Sequence, residues 1–328
     1  MIHVAIIGTG LIGTSLGMAL RSANDRESPL GPVMVTGYDA DARNASEARG
    51  RLAIDREART LAEAVREAHL VIVAVPVQAI RQLFVDLAPL LPAGATVTDV
   101  ASTKAQVLAW ARELLPVTVD FVGGHPMAGR EKTGPAAASP DLFHNTIYCL
   151  APREHTRESA ISLVEAFVQQ IGAKLYYIDP VEHDAYVAGV SHLPFMLSAA
   201  LVDVVSRGPG WREMAPLAAT GFRDVSRLAS GSAEMHRDIC LTNREALARW
   251  LDDASRVLAE LRDQVAAGDG DALLAWFRHA REVREEWMAG RPNVRPGEQD
   301  FEHIAGAVYE RPGLFGRLGR ASRDRKRS

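Results

Sequence analysis

The chain has 328 residues, 47% of them apolar, and a formal net charge of −4, which suits two globular domains with sizeable cores and excludes a disordered or fibrous chain. An acidic body argues against a nucleic-acid binder, and two distant cysteines without metal-ligand spacing, Cys149 and Cys240, suggest neither a disulfide framework nor a zinc site, so no metal is expected. No uninterrupted apolar run approaches the roughly 20 residues of a membrane span, and no basic leader precedes the first strand pattern, so a cytoplasmic protein with no membrane partner is expected.

The chain opens on IHVAIIG, a β-branched run of the kind buried on both faces of a sheet. Directly after it come Gly8, Thr9, Gly10, Leu11, Ile12 and Gly13, then TSLGMAL, which continues as a helix. In that order the first glycine makes a tight turn, the second lets a pyrophosphate reach the backbone, and the third lets the helix pack on the sheet. The helix start then offers free N–H groups to the phosphates. The next strand pattern, VMVTGYD, ends in Asp39, 26 residues after Gly13, with the NDRESPLG insertion accounting for the long spacing. A carboxylate there accepts from ribose hydroxyls and repels a 2′-phosphate, favouring NAD over NADP; Arg43 is the nearby cation that would favour the phosphate. LVIVAVP brings Val75 and Pro76 to a third strand end beside the dinucleotide, although Pro76 equally suits a simple strand terminator.

Further strand patterns at ATVTDV, DFVGG, TIYCLAP and KLYYID alternate with helical ones such as AEAVREA and AQVLAWARELL. The expected fold class is α/β, with a doubly wound Rossmann-type, mainly parallel sheet over residues 1–180. Ligands of such sheets lie beyond the carboxyl ends of the strands. TDVASTK and FVGGHP end successive strands, so Ser102 and His125 belong on one rim. A serine hydroxyl can hold one imidazole nitrogen while the other accepts a proton, and Ser102 equally reads as the cap of a helix starting near Thr103. In GGHPMAG the glycines permit close approach and unusual dihedrals, while Pro126 holds His125 extended.

At IDPVEHDAYVAGVSHLP the pattern changes. Asp179 can cap, Pro180 suits the first helical position and Glu182 completes a capping box, so a helix starts here. Residues 181–292 read as an all-helical domain whose wide apolar stripes need a second layer, supplied partly by another subunit: a homodimer through these helices. His192 stands two residues before Pro194, which removes an N–H and kinks or breaks its helix; as a lone helical histidine it also reads as a core residue. GFRDVSRLASG offers Arg223 and Arg227 on one helical face, where paired guanidinium forks suit a dicarboxylate. Residues 293–328 read as a loosely packed extension with a disordered basic tail. Its final 16 residues hold six of the 37 Lys/Arg and one of the 41 Asp/Glu.

Taken together, GTGLIGTSLGMAL, DVASTKAQV, GGHPMAGREKTGPAAASPDLF, SHLPFMLSAAL and GFRDVSRLASG…RDICLTNREAL resemble the prephenate/arogenate dehydrogenase family of tyrosine biosynthesis, in the family's order over roughly residues 1–290. The resemblance implies a nucleotide-binding domain, a helical dimerisation domain and an active site between them. It implies NAD-dependent oxidative decarboxylation of prephenate or arogenate. By the same resemblance, His125 is the catalytic hydrogen-bond acceptor, Ser102 bridges it to the nicotinamide side, His192 and Arg227 hold the substrate, and Arg223 supports them. Two departures concern the pocket: His236 precedes RDI where the family commonly has an aromatic residue, and Phe195 follows SHLP where another histidine is frequent.

Overall fold

The computed structural model describes residues 1–23, 28–130 and 132–290; the expected extension over 293–328 and part of the NDRESPLG insertion lie outside them. The described strands are β1 (Ile2–Ile7), β2 (Val33–Tyr38), β3 (Arg56–Glu57), β4 (Leu70–Val73), β5 (Thr96–Asp99), β6 (Asp120–Pro126), β7 (Ile147–Pro152) and β8 (Lys174–Tyr177). They form one eight-stranded sheet in the order β3-β2-β1-β4-β5-β6-β7-β8. Every pairing is parallel except β6 with β7. The expected doubly wound, mainly parallel sheet is therefore present. β3 was not legible as an apolar run, because it is two charged residues paired only to β2 at the sheet edge.

Six helices cover the sheet: α1 (Leu11–Ser22), α2 (Ala42–Gly50), α3 (Leu61–Val65), α4 (Val77–Leu87), α5 (Ala105–Leu114) and α6 (Glu158–Gln170). Alternate residues of the inner strands enter opposite cores. Ala5, Ile7, Val71 and Val73 pack with Phe84 of α4 and Trp110 of α5, while Val4, Ile6, Leu70 and Ile72 pack with Leu16 of α1 and Phe167 of α6. Burial on both faces is what a continuous β-branched run requires. The chain winds outward through β2 and β3, then crosses back to place β4 beside β1, so the β1/β4 crevice is the topological switch point.

After β8 the described chain is helical: α7 (Pro180–Val187), α8 (Leu193–Ser206), α9 (Trp211–Met214), α10 (Thr220–Ser226), α11 (Ala233–Thr242), α12 (Arg244–Ala267) and α13 (Gly270–Gly290). The Asp179 carboxylate caps α7, accepting from the N–H groups of Val181 and Glu182. Pro194 neither breaks the helix nor ends it. One π turn, Ala188–His192, joins α7 to α8 and takes up the slack that the missing N–H creates. The resulting run Pro180–Ser206 is long and apolar enough by composition to cross a membrane. Its buried polar residues His183, Asp184 and His192, however, contact the sheet's rim and the neighbouring helix junction. Towards the C-terminal end α12 buries only Ala246 and Leu247, and α13 buries nothing. Trp250, Leu258, Phe277 and Trp287 stay exposed, so these helices carry an apolar surface that the other described residues leave uncovered.

Candidate active site

The glycine loop follows β1 as its sequence demands. Gly8 has φ +98°, and a Cβ there would lie 2.4 Å from the carbonyl oxygen of Ala74. A Cβ on Gly13 would lie 1.9 Å from the Gly8 carbonyl oxygen, so any other residue would push α1 off the loop. At Gly10, by contrast, a Cβ meets nothing within 4 Å: that side of the loop is open for a ligand. Among the described residues no side chain caps α1, and its first turn holds no acid. The amides of Leu11 and Ile12 are thus left for an anion, which is the chemistry a dinucleotide pyrophosphate needs.

Asp39, just past β2, already accepts hydrogen bonds from the protein itself. One oxygen accepts from the Thr9 N–H (2.7 Å), the other from the Asp41 N–H (3.0 Å) and from Asn44 (3.3 Å). These bonds fix the carboxylate against the loop and leave lone pairs for hydroxyl donors. Arg43 is turned elsewhere: its guanidinium pairs with Asp41 at 2.7 Å. Val75 and Pro76 follow β4, with Val75 against Gly8 and Pro76 exposed at the start of α4.

On the other side of β5 the rim is rigid. The Lys104 ammonium, fully buried, pairs with the fully buried Asp99 carboxylate and donates to the Gly124 carbonyl at 2.6 Å. Asp99 accepts in turn from the N–H groups of Ala101 (2.9 Å) and Gly124 (3.1 Å). The two ends of DVASTK are therefore clamped to the residue before His125, and Ser102 rides on the pinned loop. Gly124 is required for its lack of bulk: a Cβ would stand 2.5 Å from the Asp99 carbonyl oxygen and 2.9 Å from Tyr148. The expected flexible approach to His125 is instead extended strand, and β6 continues through Pro126 because β7 pairs with it there.

His125 Nδ1 lies 2.9 Å from His183 Nε2, and His183 Nδ1 lies 2.8 Å from Asp184 Oδ1. A carboxylate only accepts, so His183 carries its proton on Nδ1 and leaves Nε2 as an acceptor. His125 must then donate from Nδ1, which exposes a lone pair on its Nε2. Asp184 also accepts from the N–H groups of Lys104 (2.7 Å) and Ala105 (3.0 Å) at the start of α5. The helix start expected to be capped by Ser102 is thus capped by a residue of α7. The imidazole nitrogen expected to meet Ser102 is taken by His183, and Ser102 makes no side-chain hydrogen bond among the described residues.

Burial above all, then the nearby His183, Lys104 and His192, beside which a second positive charge would be repelled, holds the pKa of His125 well below the ordinary 6.5. Burial likewise lowers His192, to about 4. Both rings are neutral at neutral pH. Since their folded-state values are depressed, the stability tied to neutral burial is fully present above about pH 6.5 and is lost as the pH falls towards 4. The expected loss is up to about 1.4 kcal/mol per pH unit for each ring. Urea unfolding midpoints measured at about pH 7.5 and about pH 5 check this. Equal midpoints would show that the rings are not held neutral.

Residues 27–177 match the family model for the prephenate dehydrogenase nucleotide-binding domain, and residues 179–279 match that for the prephenate dehydrogenase dimerization domain. The chain belongs to the prephenate dehydrogenase family. Prephenate dehydrogenase of Bacillus subtilis is 33% identical over 320 residues, covering 96% of this chain and 83% of that protein. Among solved structures, prephenate dehydrogenase from A. aeolicus in complex with hydroxyphenyl propionate and NAD+ has a TM-score of 0.80 at 28% identity, over 87% of this chain and 98% of that one. The arogenate dehydrogenase of Synechocystis has a TM-score of 0.72 at 29% identity, over 87% of this chain and 100% of that one.

Against the pattern of prephenate dehydrogenases, the two departures prove to be neighbours. Phe195 and His236 stack with ring centroids 4.2 Å apart and planes 5° from parallel, and Phe195 also lies beside His192 at 5.9 Å. Arg223 and Arg227 do not share one α-helix: α10 ends at Ser226, and Arg227 starts a 3₁₀ turn, Arg227–Ser230. Both are exposed, and Arg223 pairs with Asp224 at 3.3 Å. Sequence reasoning missed His183, Asp184, Lys104, Asp99 and Asn243. Four of them stand in the short segments DVASTK and VEHDAY, yet their meaning lies in pairings 58 and 80 residues apart.

Proposed function

We propose that this chain catalyses the NAD-dependent oxidative decarboxylation of prephenate to 4-hydroxyphenylpyruvate. The observation that carries the reading is the free Nε2 lone pair of a neutral, buried histidine, fixed by the His183 and Asp184 chain at the carboxyl end of β6, in the same sheet as the strand that leads into the glycine loop. A base that must accept a hydroxyl proton has to be neutral and held in the right tautomer, and this one is both. Gly8, Thr9, Gly10, Leu11, Ile12, Gly13, Asp39, Val75 and Pro76 would hold NAD, which when bound supplies the hydride acceptor. NAD rather than NADP agrees with a fixed Asp39 carboxylate and an Arg43 committed to Asp41.

His125 Nε2 accepts the proton of the ring hydroxyl while the hydride leaves the same carbon. The positive charge that develops on the imidazole is shared through His183 with the Asp184 carboxylate. Loss of the ring carboxylate as CO2 restores aromaticity. Ser102, on the clamped loop between the NAD strands and His125, bridges the two sides, and His192 and Arg227 hold the substrate with Arg223 in support. Arogenate is the second reading, favoured by the likeness to an arogenate dehydrogenase. Residues 1–180 form the dinucleotide domain and 181–292 the substrate and dimerisation domain, whose uncovered apolar helices meet those of a second copy in a cytoplasmic homodimer.

The test is NADH formation with prephenate and arogenate in parallel, each with NAD and with NADP. Turnover of either substrate with NAD is expected; silence in all four, from protein that binds NAD, would sink the reading. Arg227→Ala should raise KM for prephenate by roughly 10- to 100-fold, the worth of a charged hydrogen bond, with a smaller change in kcat. A normal KM would move the carboxylate contact to Arg223.

A further inference from the structure

The tautomer of His192 is fixed by a residue that no motif assigns. Asn243, buried at the junction of α11 and α12, has its Nδ2 2.7 Å from the carbonyl oxygen of Asp184. A carbonyl only accepts, so that end of the amide is the NH2 group and not its oxygen. The same Nδ2 lies 3.2 Å from His192 Nδ1. An amide NH2 only donates, so His192 Nδ1 carries the lone pair and, in a neutral ring, the proton is on Nε2. That Nε2 is buried and has no hydrogen-bond partner among the described residues. Buried polar groups are nearly always paired, so an orphaned donor marks a place where a ligand atom pairs with it.

We infer that Asn243 is a positioning residue: it holds His192 with the proton on Nε2, so that the site presents a neutral N–H donor to an acceptor oxygen of the substrate. The inference rests on the substrate-binding role of His192 proposed above. Asp184 sets both histidines, and in opposite senses. Its carboxylate, through His183, makes His125 an acceptor; its carbonyl, through Asn243, makes His192 a donor. The pair fits a molecule that bears a hydroxyl and a separate acceptor oxygen, such as one of a carboxylate. Because the donor is uncharged, balancing a substrate carboxylate falls to arginine.

The test is ¹⁵N NMR of the full chain labelled at histidine, with His192→Gln identifying the His192 signals, and kinetics of Asn243→Asp with prephenate. A protonated Nε2 and an unprotonated Nδ1 are expected at neutral pH in the unaltered protein; the reverse would overturn the inference without any variant having to fold. Asn243→Asp replaces the donor by an acceptor, so the proton should move to Nδ1 and KM should rise roughly 10- to 100-fold, with kcat changed by less than about threefold. An unchanged tautomer or an unchanged KM in that variant would also overturn it. The spectrum needs no substrate. Failure to turn over either cyclohexadienyl compound would therefore sink the proposed reaction and leave the tautomer to be judged by the spectrum.

Discussion

His125→Asn lowers turnover by roughly 10²–10⁴-fold and leaves NAD affinity unchanged. The factor corresponds to about 3–5.5 kcal/mol of transition-state stabilisation. The asparagine amide can still meet His183, but it cannot take a proton, so the hydroxyl would lose its proton only to water. NAD affinity is expected to hold because the glycine loop and Asp39 lie across β4 and β5 from the substitution and share no hydrogen bond with it. Steady-state rates with prephenate, beside an NAD titration followed by protein fluorescence, check both halves. A variant with unaltered kcat would remove His125 from the chemistry, whereas one that failed to bind NAD would show the residue to be structural. In the unaltered enzyme the acid limb of the pH–rate profile should fall below 6.5, because burial opposes protonation of this ring.

Lys104→Met destabilises the protein by about 3–5 kcal/mol, the usual result of breaking a buried ion pair from one side. Neither partner has any solvent exposure. Methionine fills much of the lysine volume, so packing is nearly conserved; what remains is a carboxylate with two backbone N–H donors and no counter-charge. The Gly124 carbonyl loses its ammonium donor at the same time. At about 2–4 °C per kcal/mol for a chain of this order, the midpoint of thermal unfolding should fall by roughly 6–20 °C. Thermal melts followed by circular dichroism decide it, and a shift within about 2 °C would show that the Asp99 charge is neutralised without lysine. Activity at a permissive temperature should also change its pH dependence, since Lys104 is one of the charges that oppose protonation of His125.

The dinucleotide half was readable because each of its signals is local. A β-branched run, three glycines at set spacing and an acid at the next strand end lie within 38 residues, and each has a steric or electrostatic reason that holds wherever the unit folds. Asp179 and Pro180 likewise announced α7 from neighbouring positions. Pro194 was a local signal with a non-local answer: whether the helix breaks or widens depends on what packs around it, and here a π turn kept it continuous. The glycines before His125 were read as bending freedom, yet Gly124 is needed because Asp99 and Tyr148 leave no room for a Cβ. Composition along the chain cannot report such crowding.

By itself the sequence determined the doubly wound sheet, the glycine turn after β1, the start of the helical domain and the place of His125 at a strand end. Only the tertiary structure decided what aims it. The partner of His125 is His183 and not Ser102, the cap of α5 is Asp184, and the group that sets His192 is Asn243. The reason is physical: turns, caps and strand periodicity arise between residues a few positions apart, whereas a proton's place on an imidazole is set by whichever donor or acceptor the fold brings within about 3 Å.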